Sequence, residues 1–351
     1  MQPLSCVESS YIEDCLFICF EDGEVPLKNI AWVLNRSMVP FSESSLRSGC
    51  FAIVLMCIVA CSARSALVCQ TVGLNTASHF AYDVSTPLDL RQVSTEKHGT
   101  VTVQEITYMS PGGGVVPASL VSPSGNGKFA AVLWGHWLMP NVTNSNKSEF
   151  LQEAIALASA GVVSLLIDSP QARPGFKASP NSALVAQQVI DLRRAVDLLL
   201  SRSDVDPKRI AYVGHSWNAG TGAILVALDK RFTAFVFMSG PQSTRQYYLS
   251  SDSPRMVSMR KSVEMAKVEQ TLQTNAWADP ASYARQFGPA PALFQYGLHD
   301  EDWVPLQDAK DYFAMSSGPK EAKFYDSDHA LNQSAQKDRD EFLKKRLGLT
   351  P

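Results

Sequence analysis

Apolar residues along the main body of the chain form short runs that alternate with segments of helical spacing. Residues 100–109 alternate apolar and polar side chains, as a half-buried strand does. Five later segments are unbroken apolar runs, which are typical of strands buried on both faces. These runs are residues 130–135, 162–168, 210–214, 232–240 and 292–297.

Between the runs, apolar residues recur every three or four positions, which predicts amphipathic helices. The clearest set is Val185, Val189, Leu192, Val196 and Leu199, and further helices are predicted near 150–158, 223–228 and 335–347. Strands that alternate with helices predict an α/β protein whose mostly parallel sheet has helices on both faces. Ligands of such a sheet bind outside the carboxyl ends of its strands.

Composition and charge narrow the function classes. Of 351 residues, 45% are hydrophobic and 19% are charged, which indicates a globular protein. The formal net charge of −3 gives no reason to expect a nucleic-acid partner. All seven cysteines precede residue 70, so the main body has no disulfide, no thiolate metal site and no cysteine nucleophile. The predicted site includes no metal ligand and no cofactor.

The N-terminal part of the chain contains a segment that resembles an export signal. Residues 49–61 are an apolar run of the length of a signal-peptide core, and Met38 is a natural start for it. We predict an N-terminal extension and signal over residues 1–66 and the main α/β domain over 67–351. We expect the mature protein to be periplasmic or secreted, or lipid-anchored at Cys61, because the last four residues of the run resemble a lipobox. The alternative is that the run is a buried apolar helix or strand. No membrane span is predicted in the mature protein.

A nucleophile is predicted where the strand 210–214 meets the next helix. Residues 214–220 have the sequence GHSWNAG, with Ser216 at a sharp strand-to-helix turn. This geometry raises a serine hydroxyl above the sheet edge and puts it at a helix N-terminus. Asn218 stands where the usual G-x-S-x-G pattern has its last glycine. The alternative is a serine that merely caps the helix.

A serine nucleophile needs a base, and in this architecture the order along the chain is serine, acid, histidine. Only His299 and His329 follow Ser216. His299 lies among acidic residues at a strand end, whereas His329 lies in a loop between a short strand and the last helix. We predict His329 as the base.

The acid that orients the base should follow the strand 292–297. Asp300 is three residues beyond Gly297, and Asp302 is nearer to Val304 and Pro305. Asp300 is the preferred candidate, and Asp302 stays an alternative.

Acyl transfer also needs N–H donors for the oxyanion. One is the backbone N–H of Trp217, directly after the nucleophile. The second should come from the loop that follows strand 130–135, either from His136 or, as second choice, from Trp137. The rings of Trp137 and Trp303 are predicted to line the pocket.

In these motifs the chain resembles the α/β-hydrolase superfamily, and within it the dienelactone-hydrolase-like and acetyl-xylan-esterase-like serine esterases. The resemblance covers residues 100–350, with Trp134 standing where many members have a histidine. It implies an eight-stranded, mostly parallel sheet and a Ser-Asp-His triad without a cofactor, here Ser216, Asp300 and His329. In the same fold, residues 242–288 would form a small helical cap over the pocket or a longer surface crossover.

The function predicted is hydrolysis of a small carboxylic ester through an acyl-enzyme intermediate. Two alternatives remain open. One is a peptidase of the prolyl-oligopeptidase type, although this chain has no room for the large N-terminal propeller of that family. The other is a catalytically silent hydrolase fold that serves as a binding protein.

Overall fold

The computed structural model describes residues 77–139 and 141–349. By its contacts the chain divides into residues 1–72 and 73–351, and all described residues belong to the second unit. The predicted export segment, with Met38 and Cys61, lies outside the described residues. No helix in the described part of the chain has the length and apolar character needed to cross a bilayer.

A nine-stranded sheet forms the centre of the described residues. Its strands, numbered β1 to β9 along the chain, are Arg91–His98, Val101–Ser110, Gly114–Ser122, Phe129–Gly135, Val162–Ile167, Val205–His215, Ala234–Met238, Ala292–Gly297 and Lys320–Tyr325. They lie in the order β1-β2-β3-β5-β4-β6-β7-β8-β9. The first three strands pair antiparallel, as do β3 and β5, and the remaining pairs are parallel. This is the α/β-hydrolase fold that the sequence predicts.

Two strands differ from the expectation. The resemblance implies eight strands, and the ninth is the edge strand β1, in which every residue is exposed. The glycine and proline content of residues 111–117 favours a turn. The turn covers only 111–113, and β3 begins at Gly114 and continues through Pro117.

Helices cover both faces of the sheet. The α-helices, numbered α1 to α8 along the chain, are Leu151–Ala158, Asn181–Ser201, Trp217–Leu228, Thr244–Leu249, Pro254–Ser262, Met265–Thr274, Leu306–Met315 and Gln333–Arg346. Apolar residues of α1 and α8 pack with Val132 of β4, and those of α2, α3 and α7 pack with Leu133 of the same strand. Neighbouring residues of β4 thus face opposite layers, as the period of two requires.

The predicted amphipathic face of α2 is confirmed. Val189, Leu192 and Val196 have no exposed surface, and Val185 and Leu199 are also buried. Burial of one such side chain stabilises the fold by about 2 kcal/mol relative to an exposed position. Packing of this face, more than helix propensity, holds α2 against the sheet.

A buried ion pair connects α1 to α8. The guanidinium of Arg339 donates to both carboxylate oxygens of Glu153, at 2.8 and 2.6 Å. Asp340 follows Arg339 on α8 and is half-buried beside the same carboxylate. Burial and the charge of Glu153 raise the pKa of Asp340 from its usual 3.8 to about 6.

We expect the raised pKa of Asp340 to make stability depend on pH. A carboxyl group whose pKa is higher in the folded state favours folding while it is protonated, and this contribution is lost as the pH rises from about 4 through 6. Because Asp340 is half exposed, solvent screening limits the effect to about 1 kcal/mol. Urea denaturation should therefore show Asp340→Asn to be more stable than the parent above pH ~6.5 and similar to it below pH ~4.

Glu341→Gln removes one negative charge from the exposed neighbour of Asp340 and is the control for net charge. If both variants change the free energy of unfolding equally at each pH, the burial of Asp340 has no part in the effect.

Candidate active site

Ser216 lies at a strained turn between β6 and α3. Its backbone has φ 56° and ψ −117°, which only a small fraction of non-glycine residues adopt. Its N–H donates to the carbonyl of Met238 at 2.8 Å, which fixes the turn to β7. Gly214 permits the close approach of strand and helix, since a Cβ there would lie 2.4 Å from the carbonyl oxygen of Asn218. The turn thus places the hydroxyl of Ser216 at the carboxyl edge of the sheet.

Three side chains from distant parts of the chain form one hydrogen-bonded series. Nε2 of His329 lies 2.7 Å from Oγ of Ser216, and Nδ1 of the same ring lies 2.6 Å from Oδ2 of Asp300. His329 is 6% exposed and Asp300 is 5% exposed. In this geometry the imidazole can accept the serine proton while the carboxylate holds its other N–H.

The second acid candidate does not contact the histidine. Asp302 is exposed, and what it contributes is its backbone carbonyl, which accepts hydrogen bonds from Tyr247 and Ser253. His299 is also at the surface, where it pairs with Asp326 at 2.6 Å. Of the sequence-predicted acids and bases, the structure therefore brings Asp300 and His329 to Ser216.

The loop that carries His329 is held tightly against the sheet. A Cβ on Gly297, the last residue of β8, would lie 2.3 Å from the carbonyl oxygen of Asp328. The carbonyl of His329 accepts from Ser239 Oγ at 2.7 Å and from Nε2 of His215 at 2.9 Å. Hydrogen bonds to the backbone thus set the position of the ring.

Trp217 is the first residue of α3, so its N–H has no partner within the helix and points from the helix N-terminus. The other predicted donors lie in the loop after β4. There the N–H of Trp137 donates to Oε2 of Glu149 at 2.6 Å, so this N–H is not available to a substrate. His136 thus remains the candidate second donor.

The side chain of His136 is buried and fixed. The N–H of Ser169 donates to its Nε2 at 2.9 Å, so the ring proton is on Nδ1, which faces the carbonyl of Trp137 at 2.5 Å. Burial lowers the pKa of His136, which keeps the ring neutral. This imidazole therefore supports the loop and does not transfer protons.

Asn218 has a role that the sequence did not indicate. Its Nδ2 donates to the carbonyl of His136 at 2.6 Å and to Ser169 Oγ at 2.8 Å. Its Oδ1 accepts from Gln188 at 2.8 Å and from Thr221 at 3.1 Å. The larger side chain fits at the usual glycine position because Gly135 faces it, where a Cβ would lie 2.8 Å from that of Asn218.

Glu149 is the second residue that sequence reasoning missed. Its side chain is 8% exposed, and its Oε1 lies 2.5 Å from Nδ1 of the buried His215. A glutamate shortly before an apolar helix does not by itself indicate a functional site. Nothing in the sequence connects it to residues 137 and 215.

A cavity of about 230 Å³ opens beside Ser216 and His329. Apolar side chains dominate it, and no Asp, Glu, Lys or Arg is among its described lining residues. Trp303 and Trp217 line it, whereas the ring of Trp137 stacks on His215 at 5.0 Å and the loop contributes Leu138 instead. The main apolar and aromatic lining residues are Leu138, Val185, Trp217, Ile224, Pro241, Tyr247, Pro280 and Trp303.

Segment 242–288 borders this cavity through Thr244 and Tyr247 of α4 and through Ala278 and Pro280. Its role as a cap over the pocket stays a prediction. Within residues 77–139 and 141–349, no group of three His, Cys, Asp or Glu side chains is arranged to hold a metal ion.

Comparison with known proteins supports the architecture. A model of the prolyl oligopeptidase family matches residues 150–348. No curated protein matches the chain significantly by sequence.

Several solved structures share the fold at low sequence identity. An acetyl xylan esterase from Paenibacillus sp. R4 superposes with a TM-score of 0.63 and 19% identity over 78% of this chain and 92% of that chain. Acetyl xylan esterase 1 from Thermoanaerobacterium sp. JW/SL YS485 has a TM-score of 0.58 and 14% identity, covering 77% and 92%. A cold-adapted esterase from an Arctic intertidal metagenomic library has a TM-score of 0.51 and 19% identity, covering 73% and 99%. At these identities the likeness establishes the α/β-hydrolase fold.

Proposed function

We propose that this chain, which belongs to the prolyl oligopeptidase family, is a serine esterase that cleaves a carboxylic ester through an acyl-enzyme. The observation that carries the proposal is the hydrogen-bonded series from Ser216 through His329 to Asp300. A serine hydroxyl at neutral pH is a weak nucleophile, and this series supplies both the base and the group that orients it.

The reaction follows from the positions of these atoms. As Oγ of Ser216 attacks the ester carbonyl carbon, Nε2 of His329 takes the hydroxyl proton. The carbonyl oxygen becomes an oxyanion, which the N–H groups of Trp217 and His136 stabilise. The ester C–O bond then breaks, and His329 returns the proton to the departing alkoxide.

The acyl group is left on Oγ of Ser216 and is removed by water. His329 takes a proton from the water as it attacks, and returns it to Oγ when the acid product leaves. Throughout, Asp300 accepts the hydrogen bond from Nδ1–H and stabilises the imidazolium that forms in each half-reaction.

The cavity favours a small, uncharged substrate. Its volume of about 230 Å³ is below the usual range of drug-sized pockets, and its lining is mostly apolar. A short acyl group without a charge fits these properties. The acetyl xylan esterases with the same fold are consistent with such a substrate.

A peptidase is the second candidate, since the family match itself favours it. The cavity argues for the ester. A peptidase that recognises a free peptide terminus needs a charged partner for it, and no Asp, Glu, Lys or Arg is among the described lining residues.

A series of p-nitrophenyl esters tests the proposal, with a peptide p-nitroanilide assayed beside it. We expect kcat/KM to be greatest for acetate or butyrate and to fall by at least ~10-fold for laurate and palmitate, because a long chain leaves apolar carbon outside the cavity. Faster cleavage of the anilide than of every ester would instead identify a peptidase.

Export remains a prediction, because the segment that carries it lies outside the described residues.

A further inference from the structure

We propose that Glu149 and Asn218 are positioning residues that clamp the peptide unit between His136 and Trp137, which makes the N–H of His136 the second oxyanion donor. The inference rests on the proposed esterase function and extends it to two residues outside the triad. Neither residue is placed to touch the reacting atoms, so both would act through the loop.

The peptide unit is held at both ends. Its C=O accepts from Nδ2 of Asn218 at 2.6 Å, and its N–H donates to Oε2 of Glu149 at 2.6 Å. Because a peptide unit is planar, opposing hydrogen bonds on its C=O and N–H prevent rotation about the adjoining bonds. The N–H of Trp137 is thereby turned to Glu149 and away from the nucleophile.

The residue before this unit is fixed as well. Gly135 ends β4 and pairs with Ile167 of β5 and with Gly214 of β6. His136 therefore lies between a peptide fixed by the sheet and a peptide fixed by the clamp. Its ring is held by Ser169, so its backbone conformation has little freedom.

Asn218 is suited to this role because all its hydrogen-bonding groups are used. Both Nδ2 hydrogens have acceptors, the carbonyl of His136 and Oγ of Ser169. Gln188 donates to Oδ1, so a reversed amide would set oxygen against the carbonyl of His136 and nitrogen against a donor. The side chain is fully buried, and the geometry thus allows one amide orientation.

Glu149 also joins the loop to the base. Its Oε1 faces Nδ1 of His215, and Nε2–H of His215 donates to the carbonyl of His329. The same carboxylate therefore connects the oxyanion loop with the loop that carries His329. A glutamine at residue 149 could accept from the N–H of Trp137 through its oxygen. Its NH₂ could donate to Nδ1 of His215 in the neutral tautomer that carries its proton on Nε2, so the second contact is kept with its direction reversed.

The first test compares Glu149→Gln with Glu149→Leu in ester hydrolysis. We expect the glutamine variant to keep kcat within about threefold, and the leucine variant to lose kcat by roughly 10- to 100-fold, because a loosely held oxyanion donor weakens only the transition state. KM should change by less than about threefold in both variants. A folded glutamine variant as impaired as the leucine variant would overturn the proposal.

The second test uses Asn218→Ala and Asn218→Asp, with Ser119→Ala as the control. Ser119→Ala also removes a hydrogen bond of a buried serine, in this case to Glu105, but Ser119 lies in β3, outside the site. We expect both Asn218 variants to lose kcat by about 10-fold or more, and the inhibition constant of a trifluoromethyl ketone, which forms an oxyanion on the serine, to rise by a similar factor. Ser119→Ala should change neither value.

The outcomes separate the clamp from the function on which it rests. A wild-type chain without esterase activity would refute the proposed function. An active wild type whose folded Glu149→Leu or Asn218→Ala variant keeps full kcat would refute the clamp alone. If one of these variants does not fold, the other and Asn218→Asp still decide the result.

Discussion

Ser216→Ala is expected to lower kcat for ester hydrolysis on the order of 10⁴-fold or more. Oγ is the atom that forms the covalent bond to the acyl group in this mechanism, so no neighbouring group can replace it. Initial rates with p-nitrophenyl acetate, measured at matched concentrations of variant and parent, give the comparison.

Fold integrity has to be separated from catalysis in this experiment. Alanine at residue 216 keeps the Cβ and loses only the hydroxyl, so the thermal midpoint should stay close to that of the parent. Ser119→Ala serves again as the control for a lost serine hydroxyl. Substantial residual hydrolysis by a folded Ser216→Ala variant would show that Ser216 is not the nucleophile.

Asp300→Asn is expected to lower kcat by about 10³- to 10⁴-fold, whereas Asp302→Asn should stay within about threefold of the parent. The two residues differ in what they contact. Asp300 holds Nδ1 of His329 at 2.6 Å, and the carboxylate of Asp302 is exposed. An amide in place of Asp300 can donate to Nδ1, which favours the tautomer whose proton is on Nε2 and prevents that nitrogen from accepting the serine proton.

The pair of variants is matched for net charge and for the type of substitution. Each removes one negative charge from the same loop, so a general electrostatic effect would appear equally in both. Equal losses would contradict the assignment of Asp300, and a larger loss for Asp302→Asn would reverse it.

The sequence predicts the buried part of the sheet well, because strands covered on both faces must be apolar throughout. It misses β1, whose eight residues are all exposed and carry no apolar pattern. It misses the start of β3 for another reason. Gly114 and Pro117 favour a turn locally, but the burial of Val116 and Ala118 against neighbouring layers outweighs that preference.

For the candidate site, too, local features of the sequence are predictable and long-range contacts are not. The strand-to-helix turn at Ser216 is formed by residues adjacent in sequence, so the pattern of strand, turn and helix identifies it directly. Choosing between Asp300 and Asp302 requires the direction of a loop, which two residues of spacing do not give. Asn218 contacts a residue 82 positions away, and Glu149 contacts His215 across 66 positions, so only the folded chain reveals these contacts.

Whether Ser216 is the nucleophile is tested most directly by treating the wild-type chain with a fluorophosphonate and locating the adduct by peptide mass spectrometry. In this reaction the activated oxygen attacks phosphorus and fluoride leaves, so the label marks the nucleophile itself. We expect one phosphonyl group, on Ser216, and concurrent loss of esterase activity. An active chain that carries the label on another residue, or that stays unlabelled while it hydrolyses esters, would contradict it.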